Sequence, residues 1–195
     1  MSLTVDALTG DELHAAIEDL ARLRIAVFAK WPYLYAGDVA YEAGYLREFI
    51  AAPDAVLVAA RDGGRVVGAA TASPMWAQKF EFRQPFEELG YDTRRMFYFG
   101  ESVLLPEYRG RGIGHAFFDH REAMARACGA DVATFAAVVR PSDHPARPEG
   151  HIPLDGFWQK RGYAPVAGLV TELAWLEHGE TSESPKPMQY WMRRL

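Results

Sequence analysis

Three glycines and two arginines lie close together near the middle of the chain, where residues 109–114 read Arg-Gly-Arg-Gly-Ile-Gly. Glycine carries no Cβ, so a backbone rich in it can approach a bulky ligand closely. Arginine adds positive charge and a forked set of N–H donors that suits phosphate oxygens. This combination predicts a cradle for a pyrophosphate group.

The cradle lies between a predicted strand and a predicted helix. Residues 96–105 form an apolar, aromatic run typical of a buried strand, and Pro106 ends it. A helical pattern then has apolar residues on one side and charged residues on the other: Ile113, Phe117, Met124 and Ala127 against Arg121, Glu122 and Arg126. The N-terminus of such a helix presents unpaired N–H groups and the positive end of the helix dipole to an anion.

Two familiar phosphate-binding motifs do not match this segment. A P-loop requires Gly-Lys-Ser/Thr and the dinucleotide motif requires G-x-G-x-x-G, whereas the glycines here follow G-x-G-x-G. Residues 104–114, Leu-Leu-Pro-Glu-Tyr-Arg-Gly-Arg-Gly-Ile-Gly, resemble instead the coenzyme A-binding motif of the GNAT superfamily of N-acetyltransferases. Residues 157–163, Phe-Trp-Gln-Lys-Arg-Gly-Tyr, resemble the family's second signature, an aromatic helix end that leads into Gly-Phe or Gly-Tyr. The alternative is an ordinary glycine turn.

The order of the predicted elements extends the resemblance over essentially the whole chain. The elements follow β-α-α-β-β, a connecting segment and then β-α-β-α-β-β, without an internal repeat or a domain boundary. The resemblance implies a single α/β (α+β) domain over residues 1–195, the GNAT fold. Its mixed, mostly antiparallel central sheet of about seven strands would be flanked by helices and splayed between strands 4 and 5, with coenzyme A in the gap.

Several boundaries rest on local patterns alone. Residues 9–12, Thr-Gly-Asp-Glu, have the form of a capping box at the start of the first helix. The aromatic residues of the 74–95 connection suggest a short helical lid. The last two strands are predicted at residues 169–176 and 188–194, separated by a polar loop.

The resemblance also assigns roles within the motif. In the family, main-chain groups of the fourth strand pair with the pantetheine arm, and a bulge aims an N–H at the thioester oxygen. We expect that N–H donor at Val103 or Leu104. The N–H groups of the cradle hold the pyrophosphate. The predicted coenzyme A-binding residues are Val103, Leu104, Leu105, Arg109, Gly110, Arg111, Gly112, Ile113, Gly114 and His115.

Glu101 is the candidate catalytic residue. Acetyl transfer to an amine requires that an alkylammonium, with a pKa of about 10.4, lose a proton at neutral pH. In an apolar strand the pKa of a carboxylate can be raised toward neutral pH, where the group can act as a base. Glu101 lies between Phe99 and Val103 in such a strand. GNAT enzymes often carry a catalytic glutamate in this region. The alternative is a structural carboxylate that pairs with an arginine or caps the splayed backbone.

The acid that protonates the leaving thiolate is not assigned. Trp158 occupies the position at which many GNAT enzymes carry a tyrosine, and its indole N–H is a donor but not a useful acid. Tyr98, Tyr163, His144 and His151 are the candidates that remain. Otherwise the thiolate leaves to water, since a thiol with a pKa of about 8.5 is a fair leaving group.

The expected function is transfer of an acetyl group from acetyl-CoA to an amine by direct attack in a ternary complex. Aromatic residues at 31–35 and 76–86 favour a partly closed pocket and hence a small-molecule acceptor. Transfer of a longer acyl chain, or transfer to a hydroxyl, stays open. The rival function, from a different class, is a non-catalytic acyl-CoA-binding module.

Composition narrows the classes of partner that the protein is expected to bind. The net charge of −5 argues against a nucleic-acid surface. The absence of a signal-peptide pattern and of an apolar run of roughly 20 residues predicts a cytoplasmic protein without a membrane partner. Cys128, the only cysteine, excludes an intramolecular disulfide and a zinc cluster, and no metal is expected. The oligomeric state stays open, a homodimer included.

Overall fold

The structure is a computed structural model that describes residues 3–8 and 10–195. Within them, seven strands form one sheet: β1 (Leu3–Leu8), β2 (Val56–Asp62), β3 (Arg65–Pro74), β4 (Met96–Leu104), β5 (Val132–Val138), β6 (Ala164–Trp175) and β7 (Ser184–Arg194). The α-helices are α1 (Gly10–Phe28), α2 (Val39–Ile50), α3 (Phe80–Glu88), α4 (Ile113–Ala127) and α5 (Asp155–Lys160). The predicted capping box begins at Thr9, which lies outside the described residues.

The sheet has the strand order β1-β2-β3-β4-β5-β7-β6. All neighbouring pairs are antiparallel except β4 and β5, which are parallel. These two strands pair where residues 96–98 lie beside residues 132–134, and within the described part of the chain the remainder of β4 has no strand partner on its β5 side. The mixed, mostly antiparallel sheet of seven strands predicted from the sequence is confirmed.

Helices cover both faces of the sheet. Alternate residues of β2 belong to different cores, because side chains of a strand alternate between its two faces. Val58 and Ala60 pack in the core that contains α4, whereas Leu57 and Ala59 pack in the core that contains α1 and α2. The sheet therefore separates α1 and α2 from α4.

The 74–95 connection contains α3, but it packs as part of the core rather than as an open lid. Phe86 is fully buried, and its ring lies 4.8 Å from that of Tyr190 on β7. The last two strands each begin four or five residues earlier than predicted, at Ala164 and Ser184. These extensions contain Pro165, Pro185 and Pro187, and proline is disfavoured within a strand because it lacks the N–H of a sheet ladder.

The polar side of α4 differs from the sequence prediction. Arg121 and Glu122 are only 2% and 4% exposed, so their expected place on the side opposite the apolar residues was wrong. Residues four apart share a helix face, and Arg121 follows Phe117 at that spacing. The buried Glu122 carboxylate accepts hydrogen bonds from Tyr163 and Arg193 at 3.1 Å, which ties α4 to β7.

Candidate functional site

The glycine turn after β4 adopts a conformation that requires its glycines. Gly110 and Gly112 have φ angles of 76° and 81°, in the left-handed region that side chains disfavour. Gly112 is the residue immediately before α4, and a Cβ built on it meets no atom within 4 Å. Arg109 and Arg111 are exposed beside it. The turn thus presents open backbone and two cationic side chains to solvent.

The first turn of α4 adds directed N–H donors. The first hydrogen bond of the helix runs from Ala116 N–H to Gly112 O at 3.1 Å, so the preceding N–H groups, through His115, point beyond the helix end. Gly114, in contrast to the open Gly112, faces α5: a Cβ built on it would lie 3.4 Å from Phe157. The predicted residues 109–115 therefore place unpaired N–H groups and two exposed arginines at the N-terminal end of α4.

Tyr108 anchors this turn to the sheet. Its hydroxyl donates to Asp62 Oδ2 at 2.9 Å, at the end of β2, and the guanidinium of Arg111 lies 5.1 Å from its ring centroid. Sequence reasoning used Tyr108 only as part of the motif and did not assign it a contact. Its partner is distant in the sequence, so no local pattern could have identified it.

The free edge of β4 has a definite backbone register. Leu105 N–H donates to Val67 O on β3 at 3.0 Å. The hydrogen-bonding groups of successive residues alternate between the two edges of a strand, so Val103 faces β3, whereas Ser102 and Leu104 face the β5 side. Of the two positions predicted for the thioester donor, Val103 and Leu104, only Leu104 directs its N–H to the free edge. Ser102, which was not predicted as a donor, also directs its N–H there.

A bulge interrupts β4 just before this edge. Ala72 pairs with Phe99 and Ala70 with Ser102, so Gly100 and Glu101 together oppose Thr71. The hydroxyl of Thr71 accepts a hydrogen bond from Glu101 N–H at 3.1 Å. A Cβ on Gly100 would lie 2.6 Å from that same hydroxyl oxygen, which explains the glycine.

Glu101 directs its carboxylate into a buried ionic cluster between β4, α1 and α2. Arg24 forms ion pairs with Glu101 and with Glu42, the latter at 2.5 Å, and the Glu101 side chain is 10% exposed. Tyr45 donates to Glu101 at 3.4 Å, and Tyr35 donates to Glu42 at 2.7 Å. Burial, followed by the charge of Glu101, raises the pKa of the Tyr45 hydroxyl. The arginine partner of the structural alternative for Glu101 is thus present.

The candidate acids for the leaving thiolate are all engaged elsewhere or buried. The Tyr163 hydroxyl is buried and donates to Glu122, and burial raises the pKa of Tyr98 well above its usual value. His144 and His151 pack against Trp31, with ring centroids 5.0 and 5.9 Å away. Trp158 packs on Trp191 and Phe135. Of these side chains, His151 and Trp158 line the cleft beside α5.

The α1–α2 loop is tied to the β6–β7 hairpin. Arg140, at the end of β5, donates to Pro32 O at 2.8 Å and to Tyr33 O at 3.2 Å, and it forms an ion pair with Glu177 of the hairpin. The indole N–H of Trp175 donates to Tyr33 O at 3.0 Å. The two loops therefore form one connected cover. The Tyr33 ring packs on Phe28 at 4.7 Å, and the Arg24 guanidinium that pairs with Glu101 lies 5.3 Å from the same Phe28 ring, so this cover lies beside the Glu101 cluster.

A cleft of about 460 Å³ lies beside α5 at the end of β5. Trp31, Arg140, His151 and Trp158 are among the residues that line it. Trp31 and Pro32 are the part of the predicted 31–35 pocket wall that reaches the cleft, whereas the 76–86 segment does not line it. Away from the cleft the two segments meet, since Tyr33 and Phe82 both pack against the core cluster that contains Phe86.

The residues that the structure describes lack two other features. No group of three or more histidine, cysteine, aspartate or glutamate side chains is arranged to hold a metal ion there. No helix in that part of the chain has the length and apolar character needed to span a membrane.

Comparison with known proteins identifies the family. The family model described as "Acetyltransferase (GNAT) family" matches residues 13–163, which include the glycine turn, α4 and Tyr163. The chain belongs to the acetyltransferase (GNAT) family. Acetyl-CoA is the co-substrate of GNAT enzymes. No curated protein matches the sequence of this GNAT chain.

Solved structures share the GNAT fold with this chain. An aminoglycoside 6'-N-acetyltransferase complexed with coenzyme A is 17% identical with a TM-score of 0.62, covering 100% of this chain and 97% of its own. The Salmonella typhimurium protein yncA, with its cofactor acetyl-CoA, is 14% identical with a TM-score of 0.59 and coverages of 100% and 95%. The ribosomal-protein-alanine N-acetyltransferase from Brucella melitensis is 16% identical, with a TM-score of 0.60 and coverages of 98% and 99%.

Proposed function

We propose that this GNAT chain is an N-acetyltransferase that moves an acetyl group from acetyl-CoA to an amine of a small molecule, by direct attack in a ternary complex. The observation that carries the proposal is the junction of two features. The donor-rich end of α4 follows the strand whose β5-side edge is free. A pyrophosphate and an extended amide-containing arm, joined as in acetyl-CoA, match that pair of features.

The residues of the chain fit this ligand. Gly112 leaves open space where a phosphate would approach, and the exposed Arg109 and Arg111 supply positive charge. The backbone groups of Leu104 would pair with an amide of the pantetheine arm, and the Ser102 N–H would face the thioester end of that arm, since both residues direct their backbone groups to the free edge. Each is a main-chain contact that a strand-like ligand could satisfy.

The reaction assigns a role to each group that changes charge. The nitrogen lone pair of the amine attacks the thioester carbon, the C–S bond breaks, and the sulfur leaves with the bonding pair as a thiolate. A main-chain N–H on the free edge of β4 stabilises the negative charge that develops on the carbonyl oxygen. Glu101 accepts the proton that the attacking nitrogen loses and returns it to solvent, and water protonates the thiolate.

The connected loop cover supports a small acceptor. Because Arg140 and Trp175 fasten the α1–α2 loop to the β6–β7 hairpin, a folded protein substrate could not approach the Glu101 side of β4 without breaking these bonds. An amine on a compact molecule needs no such rearrangement. The carboxylates of Glu42 and Glu101 would also favour a cationic approach.

Calorimetric titration tests the donor, and a free-thiol assay tests the transfer. We expect acetyl-CoA and free coenzyme A to bind, and an R109M variant to bind both more weakly. A panel of small amines, aminoglycosides included, is then screened for release of coenzyme A thiol. No heat of binding with either nucleotide would refute the proposal.

The second candidate is an acyl-CoA-binding module without turnover. It is favoured by one observation, the ion pair that already holds Glu101 to Arg24. The variants E101Q and E42Q separate the two, because both remove a carboxylate from the same arginine. A catalytic Glu101 predicts that E101Q loses turnover with unchanged acetyl-CoA affinity while E42Q retains it. Equal losses in both variants would assign Glu101 a structural role, and a module shows no turnover in any form.

A further inference from the structure

Arg121 is a buried cation directly beneath the β4 bulge. Its side chain is 2% exposed, and its guanidinium lies 4.5 Å from the ring centroid of Phe99 and 4.7 Å from that of Phe118. Nε donates to Phe117 O at 3.1 Å, and Nη1 lies 3.4 Å from both Thr71 O and Glu101 O. In the part of the chain that the structure describes, Nη2 is buried without a hydrogen-bond partner.

This arrangement is unusual for a structural arginine. Buried cations are ordinarily paired with carboxylates, because transfer of an isolated charge out of water is strongly unfavourable. The nitrogens of Arg121 instead meet neutral carbonyl oxygens. Burial lowers the pKa of Arg121 to about 10, so the group still carries its charge at neutral pH. The fold thus keeps beneath the bulge a positive charge whose hydrogen bonds go to neutral carbonyl groups, with the carboxylates of Glu101 and Glu122 nearby.

The peptide group between Glu101 and Ser102 connects this charge to the free edge. Its carbonyl oxygen, on Glu101, faces Arg121. In a trans peptide the C=O and N–H point in opposite directions, so the N–H of Ser102 points to the β5 side, as the register of β4 also requires. A cation at one end of this amide increases the positive charge at the other end, as in chains of hydrogen bonds that polarise one another.

We propose that Arg121 is a positioning residue for acetyl transfer: held against the carbonyl of Glu101, it orients and polarises the Ser102 N–H, which receives the thioester oxygen as negative charge develops there. This inference rests on the proposed function. It selects Ser102 over Leu104 as the oxyanion donor, because the peptide N–H of Leu104 has no such cation behind it. It also explains why α4 carries an arginine on its buried face.

Difference infrared spectroscopy measures the polarisation without an acceptor. Acetyl-CoA labelled with ¹³C at the thioester carbonyl is bound to the wild type, and we expect its C=O stretch to move to lower wavenumber than in water. In R121M, which has similar bulk and no charge, that shift is largely lost. R121K, which keeps the charge, restores part of it. R193M removes another arginine from the same region and leaves the shift intact, since Arg193 contacts Glu122 rather than β4.

The kinetic readout divides in the same way. With an amine identified in the screen, R121M is expected to lower kcat about 10-fold, less than loss of a whole oxyanion donor, with the KM for acetyl-CoA unchanged. If R121M does not fold, R121Q replaces it. An unaltered C=O shift in the neutral variant, or no recovery in R121K, overturns the role of Arg121. Failure of the wild type to bind acetyl-CoA is a different result, which overturns the proposed function itself.

Discussion

Substitution of Gly112 by alanine separates an effect on phosphate binding at the glycine turn from an effect on the stability of the fold. The φ of 81° at Gly112 places alanine in the left-handed region, which costs about 1–2 kcal/mol. The new Cβ meets no protein atom within 4 Å, so no clash adds to that strain. For a chain of this size we expect the Tm of G112A to fall by roughly 3–6 °C.

The effect on binding should be much larger than this strain implies. The Cβ would enter the space in which a phosphate approaches the N–H groups of α4. Loss of one hydrogen bond to a charged group corresponds to about 1.5–3 kcal/mol, or roughly 10- to 100-fold weaker binding of acetyl-CoA. Calorimetric titration of G112A with acetyl-CoA measures this change.

Gly90 provides a matched control. Its φ is also 81°, a Cβ built on it meets nothing within 4 Å, and it follows α3 rather than the glycine turn. G90A should therefore lose a similar amount of stability and keep the affinity of the wild type. If G112A and G90A bind acetyl-CoA equally well, the reasoning that places the phosphates at α4 is refuted.

Three further predictions concern stability, each measured by urea unfolding. E122Q removes the charge from the buried carboxylate of α4 and should lower the free energy of unfolding by about 3 kcal/mol. A hydrogen bond from Ser184 is the main cause that lowers the pKa of Glu180 from 4.5 to about 2, so its stabilisation is present above pH 4.5 and is lost as pH falls toward 2. The stability difference between wild type and E180Q should shrink over that range. G68V places a Cβ 2.6 Å from Leu104 Cδ1 and should destabilise β3 and β4, whereas a G64A change in the neighbouring open turn should be milder.

Local pattern was sufficient for most of the fold. The spacing of Tyr41, Tyr45 and Phe49 predicts a helix over residues 38–50, and the structure has α2 there with Asp38 as its N-cap, because capping and helical spacing are short-range properties. The turn residues 61–64 likewise predict strands at 55–60 and 65–73, and the ends of β2, β3 and β4 lie within two residues of the predicted bounds. The last two strands were predicted too short. Their extensions contain prolines, and whether a strand tolerates a proline depends on which of its edges is paired, which is decided by the tertiary structure.

The chain's own sequence determined the glycine turn, the strand before it and the helix after it, because all three depend on residues within one short segment. The tertiary structure alone decided the surroundings of Glu101 and Arg121. Arg24 reaches Glu101 only because α1 packs on one face of the sheet. Arg121 lies beneath the β4 bulge only because α4 packs on the opposite face. The free energy of a charged side chain depends on what surrounds it in space, and that environment is assembled from residues distant in sequence.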